Sequence, residues 1–148
     1  REYYLPVDRG GEAAYRATTY RVFLPGGVCD LRLGVVSETL RCWLETAGAT
    51  RFAIVTACNP GSQPVDAEQN ALRQAQLECE LLEAGFEPYA AENIADGSDW
   101  ADEESCFIAD MGRDEALALA MKHGQLAIVC GGADGLPELA WTSGQAGQ

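Results

Sequence analysis

The alternation of apolar and polar positions in the first third of the chain predicts a hairpin followed by a helix. YRATTYRVF, residues 15–23, has the β-branched and aromatic content of a strand, and VCDLRLG, residues 28–34, reads as its returning partner. A Pro-Gly-Gly turn at 25–27 joins them. Apolar residues at helical spacing then predict a helix that begins after Ser37 and ends at Gly48.

The middle of the chain predicts a buried strand and the longest helix. FAIVTA, residues 52–57, is a short continuous apolar run, which is typical of a strand covered on both faces. Asp66 and Gln69 have the spacing of a capping box, so we expect a helix from Asp66 to Gly85. The apolar residues that recur at helical spacing should face the core: Leu72, Ala75, Cys79 and Leu82.

The last part of the chain continues the alternation of strands and helices. FEPYA, residues 86–90, is predicted to be an edge strand because Pro88 cannot donate to a ladder, and residues 92–104 are predicted to be a polar loop. Two further strands are expected at 105–109 and 126–130, with a helix between them at 113–124.

Taken in order, these elements read ββαβαββαβ and predict a single α/β domain of the mixed α+β kind. Its mixed sheet of about six strands should carry three helices, with right-handed crossovers wherever a helix joins parallel neighbours. We assign residues 1–14 to an N-terminal extension, 15–130 to the domain, and 131–148 to a Gly-rich tail. The tail should be partly loose, although Leu136–Trp141 is expected to pack back.

The charge distribution limits the classes of partner. The net charge is −13, and residues 66–115 carry fifteen acids against Arg73 and Arg113. Because phosphate neutralisation requires clustered Lys and Arg, no nucleic-acid partner is predicted. A basic partner protein, divalent cations, solubility and adaptation to high salt are open explanations of the acidic middle.

The cysteines and the hydropathy pattern predict a cytoplasmic protein without a cofactor. Six cysteines lie singly along the chain beside one histidine, whereas zinc ligands usually come in close pairs, so reduced structural thiols and no metal are expected. No apolar run approaches the roughly 18 residues of a membrane span, and no membrane partner is predicted.

The polar segment after the FAIVTA strand is the first candidate site. Asn59 and Ser62 follow a buried strand and precede a helix, a position where ligands bind in open α/β sheets. A phosphate there would meet Asp66 and Glu68, whose repulsion of about 1 kcal/mol each outweighs the helix dipole, so a phosphate loop is disfavoured. The competing structural explanation is that this segment is a turn between a strand and a helix.

The second candidate is the acidic segment 92–104, which holds six carboxylates. Hard cations bind oxygen ligands, but the spacing is not that of a calcium-binding helix–loop–helix, and a charge run is usually a solvated face. Trp100 in this segment should either fill the core or contact a partner. Glu103 beside it is the best candidate for acid–base work, although no catalytic residue is predicted and the sequence leaves enzymatic activity undecided.

Four motifs follow one another along the chain: T-A-x-N-P-G-S at 56–62, Asn70, D-W-x-x-E-x-S at 99–105, and G-Q-x-A-I at 124–128. In this order they resemble the DUF3293 family of uncharacterised bacterial proteins. The resemblance covers roughly residues 15–130 and implies a small, stand-alone cytoplasmic protein, without implying an activity. Cys58 stands where the family pattern has an aromatic residue, which makes it a poor candidate nucleophile.

Two hypotheses of function follow. The first is a polar pocket at the sheet rim that binds a neutral or cationic small molecule through six residues: Asn59, Ser62, Asn70, Glu103, Ser105 and Gln125. It requires Asn59 and Glu103 to lie close together in the fold. The alternative is an acidic protein-interaction module, an inhibitor or adaptor that docks a basic partner protein.

Overall fold

The computed structural model describes residues 9–97 and 99–142. Residues 143–148, which were expected to be loose, lie outside the described residues, as does most of the predicted N-terminal extension. The division into extension, domain and tail stays a prediction. Within the described part, no helix has the length and apolar character to cross a membrane.

Four α-helices and seven β-strands alternate along the described residues. In chain order they are α1 Glu12–Arg16, β1 Thr18–Leu24, β2 Gly27–Leu31, α2 Glu38–Ala47, β3 Arg51–Val55, α3 Ala67–Glu83, β4 Tyr89–Ala95, β5 Glu103–Ala109, α4 Arg113–Lys122, β6 Ala127–Gly132 and β7 Glu138–Trp141. A single 3₁₀ turn, Pro60–Ser62, separates β3 from α3. Helix α1 was not predicted, whereas β7 falls in the segment that was expected to pack back.

All seven strands form one sheet in the order β2-β1-β4-β5-β3-β6-β7. The predicted α/β class is therefore confirmed, but every described pair is antiparallel and the sheet is not mixed. The reason lies in α4, which joins β5 to β6. These two strands run parallel but are not neighbours, because β3 inserts between them and reverses the ladder on both sides.

Helices cover both faces of the sheet and create two cores. On one face Leu40 and Leu44 of α2 pack with Phe52 and Phe107, whose rings stack with centroids 5.6 Å apart. On the other face α3 and α4 pack against the alternate residues of the same strands, such as Ile108. We call these the α2 face and the α3 face.

The helix caps follow the sequence closely. The Ser37 hydroxyl accepts a hydrogen bond from the Leu40 N–H at 3.1 Å, and the Asp66 carboxylate accepts one from the Gln69 N–H at 2.8 Å. Gly48 ends α2 in the left-handed conformation with φ of 72°. All six cysteines carry free thiols, and four of them are buried, leaving Cys42 and Cys79 exposed.

Strand β4 corrects two predictions. It runs over Tyr89–Ala95 and lies between β1 and β5, so it is neither the edge strand 86–90 nor part of a polar loop. Its polar residues are tolerated because the outer side of β1 and β4 is only partly covered, and Glu92 lies opposite Arg21 there. Pro88 precedes the first ladder position and removes no hydrogen bond from the strand.

The predicted core face of α3 is wrong. Leu72 and Leu82 are 63% and 61% exposed, and the residues that face the sheet are Gln74, Leu77 and Leu81. This side packs Leu77 and Leu81 into the core of the α3 face. It also carries Gln74, whose side-chain oxygen accepts the Ala57 N–H of the chain beyond β3 at 3.2 Å.

Candidate functional site

A small cavity opens where the ends of five neighbouring strands meet at one rim of the α2 face. Antiparallel order places the start of β1, the end of β4, the start of β5, the end of β3 and the start of β6 along this rim. The cavity has a volume of about 50 Å³, room for a few water molecules or a small polar molecule. We call it the rim cavity, and Ala14 and Tyr15 of α1 form part of its wall.

Four of the six predicted site residues line the rim cavity: Asn59, Ser62, Glu103 and Gln125. The other two stand behind its wall. Asn70 hydrogen-bonds to Asn59, and the Ser105 hydroxyl donates to the Asn93 side-chain oxygen at 2.9 Å, while Asn93 itself lines the cavity. The structure therefore brings residues from well-separated motifs to one place.

Asn59 organises the polar segment between β3 and α3. Its Nδ2 donates to Glu103 Oε2 at 2.7 Å, so the two residues that the pocket hypothesis required to meet are in contact. Its Oδ1 accepts hydrogen bonds from the Val65 N–H and from Asn70 Nδ2, both at 2.9 Å. The Asn59 N–H in turn donates to Asn70 Oδ1 at 2.8 Å. Most of the hydrogen-bonding capacity of Asn59 is thus used to build the loop.

The G-Q motif locks the same loop from the opposite side. Gln125 Nε2 donates to the Cys58 carbonyl at 2.9 Å, and the Gly124 carbonyl accepts the Gly61 N–H at 2.8 Å. Gly124 has φ of 73°, and a β-carbon there would lie 2.9 Å from Cβ of Pro60. Only glycine fits this approach, so the two motifs are complementary parts of one wall.

Trp100 joins the two charged residues of the cavity. Its indole Nε1 donates to Glu103 Oε2 at 3.2 Å, and the Arg9 guanidinium carbon lies 5.1 Å from the centroid of its ring. Trp100 thereby closes the site and also contacts both charges, whereas the sequence left its role open between core filling and partner contact. Glu103 is half-buried.

The remaining polar groups of the rim cavity are neutral. Burial is the largest of the effects that raise the pKa of the Tyr20 phenol, and the neighbouring Tyr15 and Glu103 raise it further. Tyr20 therefore keeps its proton at neutral pH. Burial also raises the pKa of the Cys58 thiol. A protonated thiol is a weak nucleophile, which agrees with the interpretation of Cys58 as structural.

The histidine lies away from the cavity. His123 follows α4, and its Nε2 lies 2.9 Å from Glu80 Oε1 of α3. It is not among the residues that line the rim cavity. The arrangement therefore places neither an imidazole base nor an activated thiol on the cavity wall.

A second and larger cavity of about 540 Å³ lies on the other side of Trp100, beside the start of α3. We call it the outer cavity. Cys58, Asn59 and Trp100 line both cavities, and the outer one carries carboxylates: Asp99, Asp102 and Glu104. Among residues 9–97 and 99–142, no three metal-ligating side chains come together to form a cation site.

Sequence reasoning missed several polar residues of the rim cavity, among them Arg9, Thr18, Tyr20 and Asn93. Thr18, Tyr20 and Val22 lie at every second position of β1, so the alternation within the predicted strand 15–23 would have placed them on one face. Asn93 was hidden in the predicted loop. Arg9 falls in the assigned extension, and no local signal connects it with the site.

A family model described as "Protein of unknown function (DUF3293)" matches residues 55–128, which is half of the 148-residue chain. The chain belongs to the DUF3293 family. The match contains all four motifs that carry the resemblance, but β1, β2 and α2 lie outside it. No curated protein and no solved structure matches the chain. The DUF3293 segment therefore supplies Asn59, Trp100, Glu103 and Gln125, while the preceding elements complete the cavity.

Proposed function

We propose that the protein binds a small neutral or cationic molecule in the rim cavity. The observation that carries this proposal is the state of the Glu103 carboxylate. Its Oε2 is fixed by two donors, Asn59 and Trp100, while its Oε1 has no hydrogen-bond partner in the described part of the chain. A carboxylate oxygen held in place on a cavity wall is a ready acceptor for an ammonium or hydroxyl group of a ligand.

The neutral lining supports the same proposal. Tyr20, Thr56 and Asn93 provide hydroxyl and amide groups around the carboxylate, whereas Ile54 and Val129 provide apolar surface. A few convergent polar groups on a partly apolar wall are the usual composition of a small-molecule site. The volume of about 50 Å³ restricts the ligand, or the part of it that enters, to a few heavy atoms.

Thermal-shift screening of small amines, polyols and amides against the whole chain tests the proposal. We expect a subset to raise Tm in the native protein and to lose that effect in Glu103→Gln, which keeps the side chain's shape and removes its charge. Glu104→Gln is the matched control, because the neighbouring residue points to the opposite face of β5 and is exposed. If no compound raises Tm, or if both variants respond like the native protein, the proposal is wrong.

A second candidate function, docking of a basic partner protein, is favoured by α3. The exposed residues Leu72, Ala75, Cys79 and Leu82 form an apolar stripe on a helix that also carries four glutamates and only Arg73 as a base. An apolar stripe with carboxylates on either side is complementary to a basic amphipathic segment.

The stripe is tested with Leu72→Ser and Leu82→Ser, which leave the described core intact. We expect salt-sensitive binding of a basic amphipathic helical peptide to the native protein and at least tenfold weaker binding to the double variant. Equal binding by both, or dimerisation of the native protein that the substitutions abolish, contradicts a basic partner; the latter assigns the stripe to a second copy of the chain.

A further inference from the structure

We propose that the ligand of the rim cavity is a zwitterion, a small molecule that carries both an ammonium group and a carboxylate. Glu103 would take the cationic end and Arg9 the anionic end. This inference rests on the proposed function and goes beyond it, because it adds an anion-binding residue from a segment outside the DUF3293 match.

The Arg9 side chain has an unsatisfied donor at the edge of the cavity. Its Nε is buried and has no hydrogen-bond partner among the described residues. Its guanidinium packs against the Trp100 ring, which supplies no acceptor oxygen, and no described carboxylate lies within ion-pairing distance. A buried charged donor without an acceptor is costly, and a bidentate carboxylate is the ligand group that best matches a guanidinium.

Both charged residues of the cavity contact Trp100. The Arg9 guanidinium packs against the indole ring, and Glu103 accepts a hydrogen bond from the indole N–H. Among the described residues, Arg9 and Glu103 are not joined by an ion pair. Each therefore retains unused hydrogen-bonding capacity for a molecule that contacts both.

The charge balance of the cavity favours a zwitterion over a singly charged ligand. Arg9 and Glu103 are its charged lining residues, and Tyr20 and Cys58 remain protonated. The described wall is therefore neutral in sum, and a lone cation or anion would leave one wall charge uncompensated in a confined space. A zwitterion satisfies both charges and adds no net charge. The small volume points to an amino carboxylate of few carbons.

A series of amino carboxylates of increasing length tests which separation of the ammonium and carboxylate groups fits Glu103 and Arg9. The native protein is titrated with glycine, β-alanine, γ-aminobutyrate and 5-aminovalerate, and binding is followed through the side-chain N–H signals of its three tryptophans in ¹H–¹⁵N spectra. Acetate, methylamine and acetamide serve as probes with one charge or none. We expect one chain length to bind at least tenfold more tightly than every singly charged probe.

Charge-removing variants assign the two ends. Arg9→Gln and Glu103→Gln should each weaken binding of the preferred amino carboxylate at least tenfold. The control variants Arg16→Gln and Glu104→Gln, which alter exposed charges outside the rim cavity, should not. Arg9 is half-buried on a segment that precedes the sheet, so a fold check by circular dichroism accompanies its variant.

The outcomes separate this inference from the proposed function. If methylamine or acetamide binds in a Glu103-dependent way and no amino carboxylate binds more tightly, the zwitterion is wrong and the polar site stands. If Arg9→Gln binds the preferred amino carboxylate as tightly as the native protein, the anion-binding role is wrong. If none of the probes perturbs a tryptophan signal, the zwitterion inference is overturned, while the thermal-shift screen independently decides the proposed function.

Discussion

At the residue scale, the side chains that build the site differ from those left free to bind. The side-chain amides of three residues form hydrogen bonds with each other or with backbone groups: Asn59, Asn70 and Gln125. Arg9 and Glu103 keep unsatisfied atoms. The motifs predicted which residues of the DUF3293 segment come together. Which atoms remain free depends on side-chain rotamers and on the left-handed backbone of Asn59 and Ser62, and neither is encoded by residue spacing.

Two substitutions at Asn59 separate its hydrogen bonds from its backbone strain. Asn59 has φ of 47°, a conformation that costs most side chains about 1 kcal/mol and glycine almost nothing. Asn59→Ala loses the side-chain bonds and keeps the strain, so its free energy of unfolding should fall by roughly 2–4 kcal/mol. The free energy of unfolding of Asn59→Gly should fall by about 1 kcal/mol less than that of Asn59→Ala. Urea unfolding measures both, and equal losses would contradict the strain assignment.

At the scale of elements, α3 shows where a periodic pattern is insufficient. Its sequence offers two stripes at helical spacing, one purely apolar at Leu72 and Leu82 and one at Gln74, Leu77 and Leu81. Apolar content alone selects the first. The structure buries the second, whose leucines pack into the core and whose glutamine accepts a backbone N–H beyond β3, a tertiary contact that no pattern within the helix reveals. Caps and element limits were predictable because they depend on local contacts.

Alanine substitutions distinguish the two stripes. Leu77→Ala should lower the free energy of unfolding by about 2–5 kcal/mol, because Leu77 is fully buried and its removal leaves a cavity. Leu72→Ala should change it by no more than about 0.5 kcal/mol, since that side chain is largely exposed. Chemical denaturation measures both. A larger loss at Leu72 than at Leu77 would show that α3 presents its other side to the sheet.

The contact between α3 and α4 predicts a pH dependence. The hydrogen bond from His123, assisted by Lys122, holds the pKa of the Glu80 carboxyl below its ordinary value of 4.5. Glu80 therefore stabilises the fold above pH 4.5, and this contribution is lost as the pH falls through the folded-state pKa. Glu80→Gln should be less stable than the native protein at pH 6.

The difference between the two proteins should shrink as the pH falls below about 4.5, because the native carboxyl becomes protonated as the pH passes through its lowered pKa. Thermal unfolding at a series of pH values measures it. A gap that stays constant across this range would contradict an electrostatic origin, and Glu83→Gln, on the exposed side of α3, serves as the control for charge removal.

At the scale of the whole molecule, the order of elements was predictable but their arrangement in the sheet was not. Hairpins such as β1–β2 follow from a turn between two strands. The pairing of Tyr20 with Asn93, or the insertion of β3 between β5 and β6, joins distant segments whose patterns specify burial and not a partner. The rim cavity depends on those distant pairings, so only its residues in the DUF3293 segment could be predicted from the sequence.

The net charge of −13 should make stability rise with salt. Screening weakens repulsion among the acids of residues 66–115, and the surface ion pairs that it also weakens, such as Arg21–Asp30, contribute little. We expect the urea midpoint to increase between low salt and 0.5 M sodium chloride. A midpoint indifferent to salt would contradict both charge repulsion and salt adaptation as the role of this segment.

The strand order also decides when the chain can fold as it leaves the ribosome. Strand β3 is synthesised before both of its neighbours, β5 and β6. Strand β1 likewise cannot form its pairing with β4 until β4 has been synthesised. The sheet therefore cannot close until β6 has been synthesised, and a ribosome stalled before β6 would hold β3 paired on one side only. Because these strand pairings join segments that are distant in sequence, we expect the whole sheet to fold in one cooperative event on a timescale of about milliseconds to seconds.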